Sequence, residues 1–271
     1  MKKVKILNKK LLIRSGVFLV TSLSIISTIL SFIDFAWYIR IGILVLLCML
    51  GVVMHYVFWN KANKLSSVRL KINNSDLEIF FGDIFKEDDI KIIPFNEYFD
   101  TIFDNGMISE NSLHGKYIKQ LENTDTLNDE IDLLDLDYVV GENTERKAGR
   151  KIKYRLGTIL PRVKYFLLAF SHFDENNKAF LTQNDYVICL LNMWSEIDKL
   201  YNGKTVCIPL LGSGITRMKD NLDITDQELL DIMIWSFKIS KVKFTYPSKV
   251  RIVIYKAKSD KIDLYSLKEV N

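Results

Sequence analysis

The chain opens on two stretches in which apolar and polar positions do not alternate at all. From Ser15 to Ile33 no side chain is ionisable, and from Ile41 to Trp59 only His55 is. Beyond Lys61 charged residues become dense, and apolar positions recur at every second residue or at helical spacing. A helix rises about 1.5 Å per residue and a bilayer core is about 30 Å thick, so about twenty apolar residues cross it. Both stretches have that length, which predicts a two-helix transmembrane hairpin within residues 1–64, with spans at about 12–33 and 37–59. The first stretch lacks a small-x-small cleavage site and is followed at once by the second, which argues against a signal peptide. A buried core hairpin of a soluble protein is the competing explanation.

Charge then orients the hairpin, because short cationic flanks resist translocation. Lys2, Lys3, Lys5, Lys9, Lys10 and Arg14 precede the first span, and Lys61, Lys64, Arg69 and Lys71 follow the second. The connector offers only Asp34 and Arg40, beside Trp37 and Tyr38, whose rings suit a lipid interface. Both termini are therefore expected in the cytoplasm. The serines and threonines of the first span suit close helix packing or hydrogen bonds between subunits. His55 is either a proton-sensitive intramembrane group or, so near the interface, an ordinary hydrogen-bonding residue.

The remaining residues, 65–271, suffice for one α/β domain. Val68–Ile72 and Leu77–Phe81 read as a hairpin, with further strands at Ile90–Ile93, Arg162–Phe170, Thr205–Leu210 and Val250–Tyr255. One helix is predicted from Asn184 to Tyr201, with Val187, Leu190, Leu191, Trp194 and Ile197 facing the core and Thr182 or Asn184 as cap. Another starts at the capping box Thr225–Glu228 and carries Leu229, Ile232, Met233, Ser236 and Phe237. Residues 123–153, acidic and then basic, read as an exposed insertion with one short helix and solvated charges. Alternating strands and helices predict a sheet covered on both faces, with ligands at the carboxyl ends of the strands.

Composition changes this picture little. The formal charge is only +4 and basic residues are interspersed with acids, so no nucleic-acid face is expected. Cys48, Cys189 and Cys207 show no ligand spacing, which predicts buried free thiols in a reducing compartment and no metal site.

Candidate chemistry lies where apolar strands run into polar or glycine residues. Val206–Ile215 enters a Gly-Ser-Gly turn before the next helical region, and the amides of Gly212 and Gly214, with the Ser213 and Thr216 hydroxyls, suit a diphosphate. Such turns also serve merely to reverse the chain. Leu77–Ile84 ends in Gly82-Asp83, where the carboxylate can accept from an adenine amine and the Ile84 amide can donate. Ile92–Asn96 ends in Asn96, suited to ribose hydroxyls. In Ser112–Tyr117, Ser112 looks like a helix cap and Gly115 permits close backbone approach to a ligand. His114 is the one general-base candidate in a loop, without a second catalytic partner. His172 and Asp174 follow a strand end and are candidates for ligand recognition.

In this order, strand-GDI, strand-Asn, glycine turn before a helix and strand-Pro-x-x-Gly-x-Gly resemble the ligand loops of macro domains, which bind ADP-ribose. The resemblance implies a three-layer α/β/α domain with a mixed sheet. It implies Asp83 and Ile84 at adenine and Asn96 at the distal ribose. Leu113, His114, Gly115 and Lys116, with Gly212, Ser213, Gly214, Ile215 and Thr216, would surround the diphosphate, and Tyr255 would stack on adenine. More narrowly, the hairpin together with IPFNEYFD, SLHGKYI and IPLLGSGITR is similar to the transmembrane macro effectors of type II Thoeris antiphage defence. That likeness implies a multi-pass protein of the bacterial inner membrane, a partner TIR-domain enzyme that makes a histidine-conjugated ADP-ribose from NAD, and homo-oligomers that disrupt the bilayer in abortive infection. Pro94-Phe95-Asn96-Glu97 replaces the usual Asn-Ala-Ala-Asn run, which favours binding over catalysis: no enzyme activity, catalytic residue or cofactor is expected. A membrane-anchored ADP-ribosyl hydrolase and a reader of ADP-ribosylated proteins are the alternatives.

Overall fold

The computed structural model describes residues 4–32, 36–102 and 107–269. The chain separates into two compact units, Met1–Val68 with Ile262–Val270, and Arg69–Lys261. The end of the chain groups with the N-terminal helices rather than with the domain that precedes it.

In the first unit, helices α1 (Lys9–Leu30) and α2 (Trp37–Asn63) are both long and apolar enough to cross a membrane. The predicted first span reaches Ile33, which lies outside the described residues. Almost none of their apolar surface is buried: Val20, Leu46 and Val52 are 63%, 65% and 71% exposed. The two helices pack closely at Gly51, where an added Cβ would fall 2.8 Å from Leu19 Cδ1. The hydroxyls of Thr21, Thr28 and Ser31 donate to carbonyls of their own helix, Val17, Ser24 and Thr28 in turn. His55 joins two segments, with Nδ1 2.9 Å from Ser15 Oγ and Nε2 2.9 Å from the Ile6 carbonyl. Contrary to the expectation of buried thiols, Cys48 on α2 is exposed.

Charged and polar residues return at the foot of the hairpin, and there the unit has a small core of Val4, Leu11 and Ala62, backed by Phe58, Trp59 and Tyr265. Trp59 Nε1 donates to the Val4 carbonyl at 2.8 Å, and Val4 N donates to Asn63 Oδ1 at 3.0 Å. Lys10 Nζ donates to the Ser266 carbonyl at 2.7 Å, tying the C-terminal segment to α1.

The second unit is built on a mixed sheet of nine strands among the described residues. In chain order these are β1 (Ser67–Ile72), β2 (Ser75–Gly82), β3 (Ile90–Asn96), β6 (Ile159–Pro161), β7 (Tyr165–Phe173), β8 (Ala179–Leu181), β9 (Val206–Pro209), β10 (Arg217–Met218) and β11 (Val250–Tyr255). Strands β4 (Val139–Glu142) and β5 (Ile152–Tyr154) form a separate antiparallel pair. The order is β1-β2-β11-β9-β3-β7-β8-β10, with β6 paired to β7. Asn73 and Asn74, with φ of 53° and 61°, make the tight turn between β1 and β2, a left-handed pair that asparagine tolerates. Strands β2, β11, β9, β3 and β7 are mutually parallel, and β8 and β6 run antiparallel to β7.

Helices α3 (Leu113–Ile118) and α4 (Asp125–Asp132) cover the face carrying Ile93, Phe95, Leu167 and Ala169, where Tyr117, Leu127 and Ile131 are buried with them. Helix α5 (Gln183–Leu200) covers the other face, where Tyr186 meets Phe170 edge-on at 6.1 Å, and it packs on α6 (Asp226–Ser240) through Trp194 and Phe237 at 4.8 Å. Both helices start at capping boxes, Thr182–Asp185 and Thr225–Glu228. The buried stripe of α5 is Tyr186, Cys189, Leu190, Met193, Trp194 and Ile197, rotated by about one residue from expectation, which leaves Val187 and Leu191 half-buried. Polar Ser236 belongs in the core because its Oγ accepts from Trp194 Nε1 at 2.9 Å.

Residues 123–153 carry the short helix expected, and most of their charged residues are exposed, but the segment is not solvated throughout. Leu127 and Ile131 are fully buried, and Arg146 is drawn inside by Asp100. The guanidinium grips both carboxylate oxygens at 2.9 and 2.5 Å and lies 3.9 Å over the Tyr98 ring. An ion pair this dry persists because its hydrogen bonds are also met: Asp100 takes Arg150 N at 2.8 Å and Asn96 Nδ2 at 2.7 Å.

Candidate functional site

Because β2, β11, β9 and β3 lie side by side and parallel, their carboxyl ends open along one edge of the sheet. Register places Tyr255 beside Gly82 and Pro209 beside Val253. A cavity of about 770 Å³ occupies this edge, within the range of about 300–1,000 Å³ usual for small-molecule sites. Of the site residues expected from sequence, all but Gly115, His172 and Asp174 line it.

At the β2–β11 end, Asp83 lines the cavity and is exposed, and its Oδ1 accepts from Phe85 N at 3.1 Å. Tyr255 is 61% exposed, so its ring face is available for stacking. In the middle, the loop after β9 turns at Gly212, with φ of +77° and an added Cβ within 3.3 Å of Leu229 Cδ2. At Gly214 an added Cβ would meet nothing within 4 Å and φ is not positive, so neither crowding nor backbone strain requires glycine there. The loop leads into strand β10, not into a helix as expected; anion recognition here rests on loop amides and side chains, without a helix dipole.

At the β3 end the expected roles change. A register shift between Phe95 and Asn96 turns Asn96 into the protein, where it is 1% exposed. Its Oδ1 accepts from Tyr98 N at 3.0 Å and Asp100 N at 3.2 Å, and its Nδ2 donates to Asp100. Asn96 thus shapes the loop that follows it, and ribose hydroxyls have little of its amide left to bind. Gly115 is required by the chain itself: an added Cβ would lie 2.3 Å from the Ser109 carbonyl oxygen. Ser112 caps α3 as expected, accepting from Gly115 N at 2.9 Å. His114 stacks on Phe95 at 3.6 Å and donates from Nε2 to the Asp100 carbonyl at 2.8 Å. Burial pushes its imidazole down to about 4, against the opposing pull of that carbonyl and the Asp100 charge, so it is neutral at physiological pH.

His172 and Asp174 do not line the cavity. His172 Nδ1 lies 2.8 Å from Glu97 Oε2, and Asp174 accepts from the amides of Asn176 and Lys178 in its own turn. The cavity also recruits residues the sequence did not flag: Phe170 and Phe173 near the end of β7, Asn176, Asn177 and Lys178 after it, Arg217, and Lys258 beyond β11. Lys258 donates to the Ser213 carbonyl and pairs with Asp226 at 3.1 Å, bracing the glycine loop across 45 residues of chain. No local signal announces such a brace. The charged lining is Lys116, Lys178, Arg217 and Lys258 against Asp83, an excess of cations suited to an anionic ligand. Among the described residues no cluster of His, Cys, Asp and Glu is placed to hold a metal ion.

A mixed sheet between helical layers, with ligand loops at the carboxyl ends of its parallel strands, defines a macro domain. Residues 77–255 match the family described as Thoeris protein ThsA, Macro domain, and the chain belongs to that family. The Thoeris protein ThsA of Bacillus amyloliquefaciens (strain Y2) is 42% identical over 277 residues, covering 96% of this chain and 92% of that protein. Among solved structures, the Oceanobacillus iheyensis macrodomain with ADP aligns at a TM-score of 0.41 and 15% identity, over 75% of this chain and 94% of that one. The same macrodomain with MES bound aligns at 0.40 and 15%, with the same coverage.

Proposed function

We propose that this chain is a membrane-anchored effector of Thoeris antiphage defence whose macro domain binds an ADP-ribose-derived signal. The signal is of the histidine-ADP-ribose type, made from NAD by a partner TIR-domain enzyme. The observation that carries the reading is the composition of the cavity along the strand ends. A carboxylate and an exposed aromatic, Asp83 and Tyr255, stand at one end, where an adenine can be hydrogen-bonded and stacked. Next to them come the Gly212–Thr216 loop and an excess of cations, which suit a diphosphate.

Binding rather than turnover fits the side chains near the ribose end. His114 is neutral, buried and already donating, and Asn96 is committed to Asp100, so neither is poised to activate water. The helices α1 and α2 anchor the protein as a multi-pass hairpin with both termini in the cytoplasm, as the lysine and arginine distribution favours. Signal binding favours one arrangement of the cytoplasmic domains, drives homo-oligomerisation and brings hairpins together to disrupt the bilayer. Only a ligand with different affinity for the two arrangements can do this. The test is a pair of variants, Asp83→Ala and Gly212→Asp. Both should abolish binding of histidine-conjugated ADP-ribose and leave the chain in the membrane fraction; binding retained by both would refute the site.

A further inference from the structure

A second concavity, of about 450 Å³, lies in the hairpin unit. One stripe of α1 forms its wall: Lys10, Ile13, Arg14 and Val17 stand three, four and seven residues apart and share a helical face. Tyr265 and Lys268, from the C-terminal segment, complete it. Three cations thus line one niche, and among the described residues lining it none is acidic.

The niche is built on a packed base. Leu11, between the lining residues, is fully buried against Val4 and Ala62. Lys10 is fixed by donation to the Ser266 carbonyl at 2.7 Å, and the Arg14 guanidinium lies 4.8 Å over Phe58, whose ring meets Phe18 edge-on at 6.1 Å. Ile13 stands between Lys10 and Arg14 along α1, and Val17, one turn on, lies in the charge-free segment from Ser15 to Ile33.

We propose that this niche binds the headgroup of an anionic phospholipid, with an acyl chain lying along Ile13 and Val17. The inference rests on reading the hairpin as membrane-embedded. Convergent cations supply the phosphate contact, as basic pockets at the cytoplasmic ends of transmembrane helices do. The apolar continuation of the stripe selects a lipid over a soluble anion, which would gain nothing from Ile13 and Val17. Since Lys268 and Tyr265 come from the far end of the chain, the bound lipid also clamps the C-terminal segment onto α1.

The test is native mass spectrometry of the full chain in non-ionic detergent, offered phosphatidylglycerol, phosphatidylcholine or inorganic phosphate. Wild type should retain one phosphatidylglycerol per chain in preference to phosphatidylcholine. Each neutralised charge should weaken retention about fivefold, so the double variant Arg14→Gln/Lys268→Gln should lose about 25-fold. The charge-keeping pair Arg14→Lys/Lys268→Arg should recover most of it, and Lys61→Gln/Lys64→Gln, outside the niche, should change nothing. Equal retention of both lipids, or a double variant that binds like wild type, would overturn the proposal. Displacement of phosphatidylglycerol by an equal concentration of inorganic phosphate would overturn its lipid character. An alkaline wash of membranes separates the two readings: a chain released by the wash contradicts the membrane hairpin itself, whereas a chain that stays behind without lipid preference contradicts the niche alone.

Discussion

The hairpin unit and the macro domain use the same apolar side chains in opposite dispositions. In the domain, Val206, Ile208 and Ile252 are fully buried between helical layers, and polar groups that enter the core, such as Ser236 and Asp100, do so with partners. In the hairpin, Leu46 and Val52 face outward over most of their surface, and hydroxyls turn back onto their own helix. The first arrangement suits water, and on the proposed membrane reading the second suits hydrocarbon. The difference teaches that exposure alone does not mark a position as tolerant; the medium it faces decides what a substitution costs.

The sharpest way to break the comparison is to empty the core of the domain. Trp194→Ala removes a fully buried ring between α5 and α6 and should cost about 3–5 kcal/mol in denaturant unfolding, whereas Leu46→Ala on the hairpin should leave that transition in place. Asp100→Ala should be as damaging, about 3–5 kcal/mol, because it strands the buried Arg146 and removes the acceptor of Asn96 Nδ2 and Arg150 N. The hairpin has its own sensitive change: Leu46→Arg should disfavour insertion by about 3 kcal/mol, read as the fraction resisting alkaline extraction.

A pH series sharpens the contrast further. His114 is held neutral by burial, with a folded value of about 4 against an ordinary 6.5, so the unfolded chain takes up its proton first. Stability of the domain should therefore be constant above pH 6.5 and fall as pH drops from 6.5 to about 4, by on the order of 3 kcal/mol; His114→Phe should flatten that part of the profile. A smaller effect is expected at the exposed ring of the cavity. Tyr255→Ala should weaken nucleotide binding about tenfold with the unfolding transition unchanged. The smallest is at a helix end, where Thr182→Ala should remove the α5 capping box for about 1 kcal/mol.

What the sequence reveals divides along similar lines. The hairpin is legible because runs without charge over a bilayer's length have few other uses, and the strand ends are legible because an apolar run that stops at Gly-Asp, Asn or Gly-Ser-Gly marks a sheet edge. The cavity residues follow from those ends. Roles are less legible than positions. Asn96 faces the protein because of a register shift, and Gly115 is small for the sake of the Ser109 backbone, neither of which leaves a local trace. Long-range partners were hidden altogether. Arg146 looked like part of a solvated basic run until Asp100, 46 residues away, claimed it, and Ser266 meets Lys10 across nearly the whole chain. The shifted stripe of α5 has a simpler cause: Tyr186 and Cys189 are less apolar than Val187 and Leu191 but fit the sheet beside Phe170 and Ala169.

The central claim is that the cavity along the strand ends receives an ADP-ribose-type signal and leaves it intact. Calorimetric titration of the full chain in lipid nanodiscs with ADP-ribose, NAD and histidine-conjugated ADP-ribose, followed by recovery of each ligand, tests it directly. The account predicts saturable binding, tightest for the conjugate, with the ligand recovered unchanged and binding lost in Gly212→Asp. Absence of binding, or recovery of hydrolysed ligand, would contradict it.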